Sequence, residues 1–211
     1  NIPHLIYMYV YYESYGCTAN KFDLEIILSI LLSDGYKISS KPQSADIIIL
    51  HTCAVKKPTE DRMISRLSYL KRFNKPIILS GCLPCINPLR ASKIGFSVAI
   101  TPRSIHKIVE AIQEASKGAK NLFIDSQTPP IKPDLHKMRL NPFIEIVSLG
   151  EGCLGCCTYC CVRFARGRFL PFPASSIINQ IKRAVSNGVK EIWITSQDTG
   201  VYKFDGLNLP E

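Results

Sequence analysis

The chain has 211 residues, 46% of them hydrophobic and 20% charged, which is enough apolar material for one domain or two modest ones and excludes a disordered tail. No apolar run approaches the roughly 20 residues of a membrane helix, Ile26 to Leu32 being broken by Ser29, and no signal-peptide pattern opens the chain, so the expected location is the cytoplasm with no membrane contact. The formal net charge of +9 points to a polyanionic partner, most commonly nucleic acid, although an inert basic surface accounts for it equally well.

In chain order, short β-branched runs alternate with amphipathic stretches, the pattern of parallel βαβ units. Strands are predicted at Leu5 to Tyr12, Asp46 to Leu50, Ile77 to Ser80 and Ser97 to Ile100. A helix is predicted from Lys21 to Ser33, with Gly35 as its C-cap, and a second opens at Pro58 with Glu60 and Asp61 in its first turn. A further helix runs from Pro102 to about Ser116. Residues 126–141 contain three prolines and no sustained period, so they read as a linker. The expected division is therefore an N-terminal domain over 1–125, the linker, and a second domain over 142–211. That second part starts with a strand (Phe143 to Leu149), a cysteine-rich loop, a helix (Ala174 to Asn187) and a strand (Glu191 to Thr195). Two strands cannot close a sheet, so the chain is expected to end inside a domain. The fold class is α/β, beginning with a Rossmann-like parallel sheet.

Nine cysteines, an odd number clustered locally without an export signal, argue for metal or catalytic use over a disulfide framework. Cys153, Cys157 and Cys160 are spaced CxxxCxxC directly after a predicted strand. Three thiolates leave one iron of a cubane cluster without a protein ligand, free to bind a second molecule. A zinc knuckle borrowing Cys156 or Cys161 is the competing reading. Cys17, Cys53 and Cys82 each come at or just after a predicted strand end, and in a parallel sheet those ends share one edge. The same cluster chemistry suits them, against burial as small hydrophobes or a zinc site completed by His51. Cys85 is read as structural, and Cys156 and Cys161 as packing beside the ligands. Basic residues follow both sites: Lys56, Lys57 and Arg62 after Cys53, and Arg163, Arg166 and Arg168 after Cys160. The second group interleaves with Phe164 and Phe169, as in RNA-contacting loops, and is taken as a candidate substrate or RNA contact against a solvated charged loop.

CxxxCxxC with Tyr159 before its last cysteine resembles the signature of radical S-adenosylmethionine enzymes. Tyr15-Gly-Cys17-Thr-Ala-Asn20, His51-Thr-Cys53-Ala-Val-Lys56 and Ser80-Gly-Cys82-Leu-Pro84 resemble the three cysteine motifs of the methylthiotransferases. Lys57-Pro-Thr-Glu-Asp61, Asn141-Pro-Phe-Ile-Glu-Ile146, Ala165-Arg-Gly167 and Trp193-Ile-Thr-Ser-Gln-Asp-Thr199 are similar to the archaeal and eukaryotic branch, which acts on threonylcarbamoyladenosine in tRNA. The resemblance implies two 4Fe–4S clusters, one on Cys17, Cys53 and Cys82 and one on Cys153, Cys157 and Cys160, the latter in the first part of a (β/α) partial TIM barrel that continues beyond Glu211. It implies that this second cluster cleaves S-adenosylmethionine to a 5'-deoxyadenosyl radical, while the other site delivers a methylated sulfur to C2 of the modified adenosine. Tyr159, Gln197 and Asp198 are carried as cofactor-binding candidates. The implied partners are the tRNA anticodon stem-loop, an electron donor and a sulfur donor. Isopentenyladenosine tRNA or a ribosomal-protein aspartate are alternative substrates, and a non-catalytic zinc or iron–sulfur RNA-binding module is the alternative of another class.

Overall fold

A computed structural model describes residues 7–126 and 128–211. The first part runs β1 (Tyr9–Ser14), α1 (Thr18–Ser33), β2 (Lys37–Ile38), β3 (Ile47–Thr52), α2 (Lys57–Leu70) and β4 (Ile77–Gly81). It continues through two short helices, α3 (Leu83–Ile86) and α4 (Pro88–Ile94), β5 (Val98–Ile100), a 3-10 turn (Pro102–Lys107) leading into α5 (Ile108–Ser116), and β6 (Leu122–Ile124). The six strands form one all-parallel sheet in the order β2-β1-β3-β4-β5-β6. This is the expected Rossmann-like architecture, with β1 and β3 adjacent where the strand order reverses.

β3 explains how the sheet is held. Its Ile-Ile-Ile-Leu run is wholly buried, as a central parallel strand covered on both faces requires. Side chains alternate between the faces, so Ile47 and Ile49 join Val10, Phe22, Ile26 and Ile78 in one core, while Ile48 and Leu50 join Met63, Leu67 and Leu79 in another. α1 buries residues around most of its circumference, including Asn20, Asp23 and Glu25, because it is covered twice. The sheet lies on one side of it, and on the other lies β7 (Ile144–Ser148), whose Ile146 completes the first core.

After β7 come β8 (Gly150–Glu151), α6 (Val162–Arg166), β9 (Leu170–Pro171), α7 (Ala174–Ser186), β10 (Glu191–Thr195) and the hairpin β11 (Lys203–Phe204)–β12 (Leu207–Asn208). β7 and β10 pair in parallel, Ile146 opposite Trp193, with α7 between them in sequence, so a βαβ unit stands where one was expected. A third core of Val147, Leu149, Phe172, Ile177 and Tyr202 packs beneath it. The first strand lies later than predicted, at Tyr9–Ser14, and Leu5 and Ile6 fall outside the described residues. Among the described residues no helix is long and apolar enough to cross a membrane.

Candidate functional site

Cys17, Cys53 and Cys82 lie within three residues of the ends of β1, β3 and β4, which are neighbours in the sheet with Ser14 opposite His51 and Thr52 opposite Gly81. Three thiols distant in sequence are thereby brought to one edge. Gly81 turns the chain into the last loop at φ +89°, and a Cβ there would sit 2.3 Å from the Thr52 carbonyl oxygen, so only glycine fits. The Cys82 amide donates to that same carbonyl at 3.0 Å, and Asn20 Nδ2 donates to it at 2.8 Å. Thr52 Oγ1 donates to Ser80 O at 2.6 Å and accepts from the Leu83 amide at 3.2 Å. With the loops so fixed, the three cysteines line one cavity of about 600 Å³ together with Tyr15, Lys56, Arg62, Arg166, Ser196 and Gln197. Burial pushes the Cys82 thiol up to about 12, despite the Arg166 guanidinium nearby.

Cys153, Cys156, Cys157 and Cys160 line a second cavity of about 480 Å³ with Arg163 and Phe164. Gly152 enters this loop at φ +88°, where a Cβ would lie 2.5 Å from the Gly167 carbonyl oxygen, and the Cys153 amide donates to that oxygen at 3.2 Å. The Gly155 amide donates to Cys153 Sγ at 3.3 Å, folding the loop around its first thiol. Tyr159 is 89% exposed, and a hydrogen bond with Cys157 raises its phenol. Arg163 contacts Cys156 Sγ. The two cysteine loops meet: Cys161 Sγ, next to Cys160, lies 3.8 Å from Ala54 O and 3.7 Å from Val55 O, the residues just after Cys53.

A buried charge cluster braces this junction. Lys132 Nζ donates to Asp23 Oδ1 at 2.6 Å and also to Glu151 Oε2. Arg166 donates to Glu151 Oε1 at 2.7 Å, to Asp23 Oδ2 at 2.9 Å and to Asn20 Oδ1 at 2.7 Å. Two cations and two carboxylates balance, as burial demands. Burial works against the Asp23 charge, but Lys132 and Arg166 hold its carboxyl below the usual range.

The sequence-predicted residues divide accordingly. Gln197 lines the first cavity, and its Oε1 accepts from the Gly152 amide at 2.9 Å, so it ties that cavity to the second cysteine loop. Asp198 instead caps a turn by accepting from the Gly200 amide at 3.1 Å, and it lines neither cavity. Arg163 and Arg168 are exposed, as an RNA contact requires, whereas Arg166 is only 4% exposed with its guanidinium committed to Asp23, Glu151 and Asn20. It is a brace and a cavity wall, not a surface contact. His51 is no free ligand either: its Nε2–H donates to Asn20 O at 2.9 Å, so its Nδ1 accepts from Ser80 Oγ at 3.1 Å. Burial also pushes the Cys85 thiol up to about 12, which suits a structural cysteine. Sequence reasoning missed Asn20, Asp23, Lys132 and Glu151, whose pairing spans the chain, and Ser196, whose buried Oγ lacks a hydrogen-bond partner at the cavity wall among the described residues.

Burial pushes the His51 pKa down to about 4, against the opposing pull of the Asp23 carboxylate. The folded state then binds fewer protons than the unfolded one between pH about 6.5 and 4, so His51 contributes stability that is complete above that window and lost as pH falls through it, by up to about 3 kcal/mol. Urea unfolding at successive pH values checks this: His51→Gln is expected to flatten the fall seen in the native sequence, and equal slopes for both proteins would refute it.

Among the described residues, no three or more His, Cys, Asp or Glu side chains close around a point that would hold one metal ion. A tetrahedral ion with metal–sulfur bonds of about 2.3 Å requires such closure. The thiols instead line the two cavities.

An α/β chain with three strand-end thiols beside a CxxxCxxC loop is thus defined. Residues 9–101 match the family described as "Uncharacterized protein family UPF0004". Over 203 residues, 95% of this chain, it is 37% identical to the "Probable threonylcarbamoyladenosine tRNA methylthiotransferase" of Pyrococcus horikoshii, covering 48% of that protein. It is 36% identical over 208 residues to the human "Threonylcarbamoyladenosine tRNA methylthiotransferase", covering 36% of it, and 38% identical over 207 residues to the Methanocaldococcus jannaschii protein with the "Probable" name, covering 47% of it. Residues 9–101 are thus similar to the UPF0004 family and nearly the whole chain is similar to these methylthiotransferases, spanning about half the length of the archaeal relatives it matches.

Proposed function

We propose that this chain forms the two-cluster part of a tRNA methylthiotransferase that places a methylthio group on C2 of threonylcarbamoyladenosine next to the anticodon. The observation that carries the reading is the meeting of the two cysteine loops at Cys161, Ala54 and Val55, which brings a three-thiol and a four-thiol cavity near each other. Cys17, Cys53 and Cys82 would hold one 4Fe–4S cluster, and Cys153, Cys157 and Cys160 the other with S-adenosylmethionine. The fit rests on the thiols of each cavity, three in the first and four in the second, on volumes in the range of ligand sites, and on the Ser196 hydroxyl at the wall of the first, buried without a hydrogen-bond partner among the described residues. When bound, such clusters supply one-electron chemistry and a seat for sulfur, each through an iron without a protein ligand.

The chain's own residues supply placement. Gln197, on the Gly152 amide, fixes the entry of the second cysteine loop, and Gly81 and Asn20 fix the Cys82 and Cys53 loops. Arg166 joins the proposed domains, 1–125 and 142–211, directly through Asp23 and Asn20, and Lys132 joins them from within the 126–141 segment, keeping the cavities in one relation. Exposed Arg163 and Arg168, with Phe164, offer charge and an aromatic face to the anticodon stem-loop. An electron donor and a sulfur donor complete the partners, and the cytoplasm is the compartment.

The test is incubation of the anaerobically reconstituted full-length protein with S-adenosylmethionine, a reductant and tRNA bearing threonylcarbamoyladenosine. Mass spectrometry of the nucleosides is expected to show gain of one methylthio group; recovery of the unaltered nucleoside alone would reject the function.

A further inference from the structure

Two cations at the rim of the first cavity form no ion pair among the described residues. On α2, Lys57 pairs with Asp61 at 3.3 Å, Arg66 pairs with Glu13 at 2.5 Å, and Arg90 from α4 takes up Glu60 at 2.7 Å and Asp61 at 2.6 Å. The acidic residues of that helix are therefore all engaged. Lys56 and Arg62 both line the cavity that holds Cys17, Cys53 and Cys82, are exposed, and form no ion pair among the described residues. Thr59, between them on the first turn, lines it too.

Arg62 is also positioned. Its guanidinium lies 6.0 Å from the centre of the Tyr15 ring, which belongs to the same cavity wall. The Tyr15 hydroxyl donates to Glu13 Oε2 at 3.0 Å, and Glu13 is gripped by Arg66 through Nε at 2.6 Å. A braced aromatic face with two uncompensated cations and a hydroxyl beside it is suited to a planar group bearing a carboxylate.

We propose that Arg62 and Lys56 bind the carboxylate of the threonylcarbamoyl substituent and so select the modified adenosine over one without that charge. The inference rests on the tRNA methylthiotransferase reading above. Threonylcarbamoyl carries a carboxylate and a hydroxyl, whereas the bare N6 amine of unmodified adenosine and an isopentenyl substituent there carry neither, so a cationic pocket rejects them by leaving its charges unpaired. S-adenosylmethionine also carries a carboxylate, and the experiment separates the two sources.

Full-length protein is measured for binding to anticodon stem-loops with and without threonylcarbamoyl, and separately to S-adenosylmethionine. The native sequence is expected to prefer the modified stem-loop by roughly ten- to a hundredfold, the worth of charge-assisted hydrogen bonds. Arg62→Gln and Lys56→Gln should each cut this preference by about tenfold through the modified stem-loop alone, with KM rising far more than kcat falls. Arg62→Lys should retain part of the preference, and Lys57→Gln, whose charge pairs with Asp61, should keep all of it. An unchanged preference in Arg62→Gln and Lys56→Gln overturns the inference, as does a loss confined to S-adenosylmethionine binding. If the native protein methylthiolates the modified tRNA while those variants still discriminate, the function stands and this inference alone falls. A native protein that modifies neither stem-loop overturns both.

Discussion

Cys157→Ala in the full-length, anaerobically reconstituted protein is expected to halve the bound iron, from about eight to about four per chain, and to abolish methylthio transfer. The expectation follows from two separate cavities: Cys157 lines one with Cys153 and Cys160, while Cys17, Cys53 and Cys82 line the other. Losing a thiol from one wall leaves the other set whole. Cys82→Ala should therefore remove the complementary half. Cys156 shares the second cavity but is contacted by Arg163, so Cys156→Ala should keep its iron. Iron that stays near eight after Cys157→Ala would mean that a neighbouring thiol is the true ligand and would sink the assignment.

The second large effect concerns the junction. Lys132→Met is expected to lower unfolding free energy by about 3–5 kcal/mol, the cost of stranding a buried charge by removing its partner. Lys132 is 1% exposed and bridges Asp23 and Glu151, so its loss leaves two buried carboxylates facing Arg166 alone. Removing a carboxylate together with the lysine, as in Lys132→Met with Glu151→Gln, should recover part of the loss by restoring charge balance. Urea unfolding gives both values. A loss below about 1 kcal/mol in the single variant would show that water reaches the cluster and that it is not a buried brace.

What could be read from the sequence, and what could not, separates along physical lines. β3, β4, β7 and β10 stood out because runs such as Ile47-Ile48-Ile49-Leu50 leave little alternative to a buried strand. The edge strands β2 and β6 escaped notice, since Lys37–Ile38 and Leu122–Ile124 are two and three residues long and lack such runs. The cysteines were legible because their positions after strand ends depend only on chain order and parallel pairing. The brace was not, because Lys132 meets Asp23 across 109 positions and Arg166 meets it across 143. No local pattern distinguishes Asp23 from a solvated charge on a helix, and Lys132 sits among prolines that read as a linker. For the same reason Arg166 looked like a surface contact: its neighbours are basic and aromatic, but two of its three partners, Asn20 and Asp23, lie in the other half of the chain.

Arg166 as a wall of the cavity around Cys17, Cys53 and Cys82 has a consequence for how the protein is made. Arg166 follows Cys82 by 84 positions, so at a synthesis rate of roughly 5–20 residues per second the last of those thiols leaves the ribosome about 4–17 s before its closing side chain. During that interval the first cavity lacks one wall and stays open. The second half of the chain, once folded, shuts the door on the first.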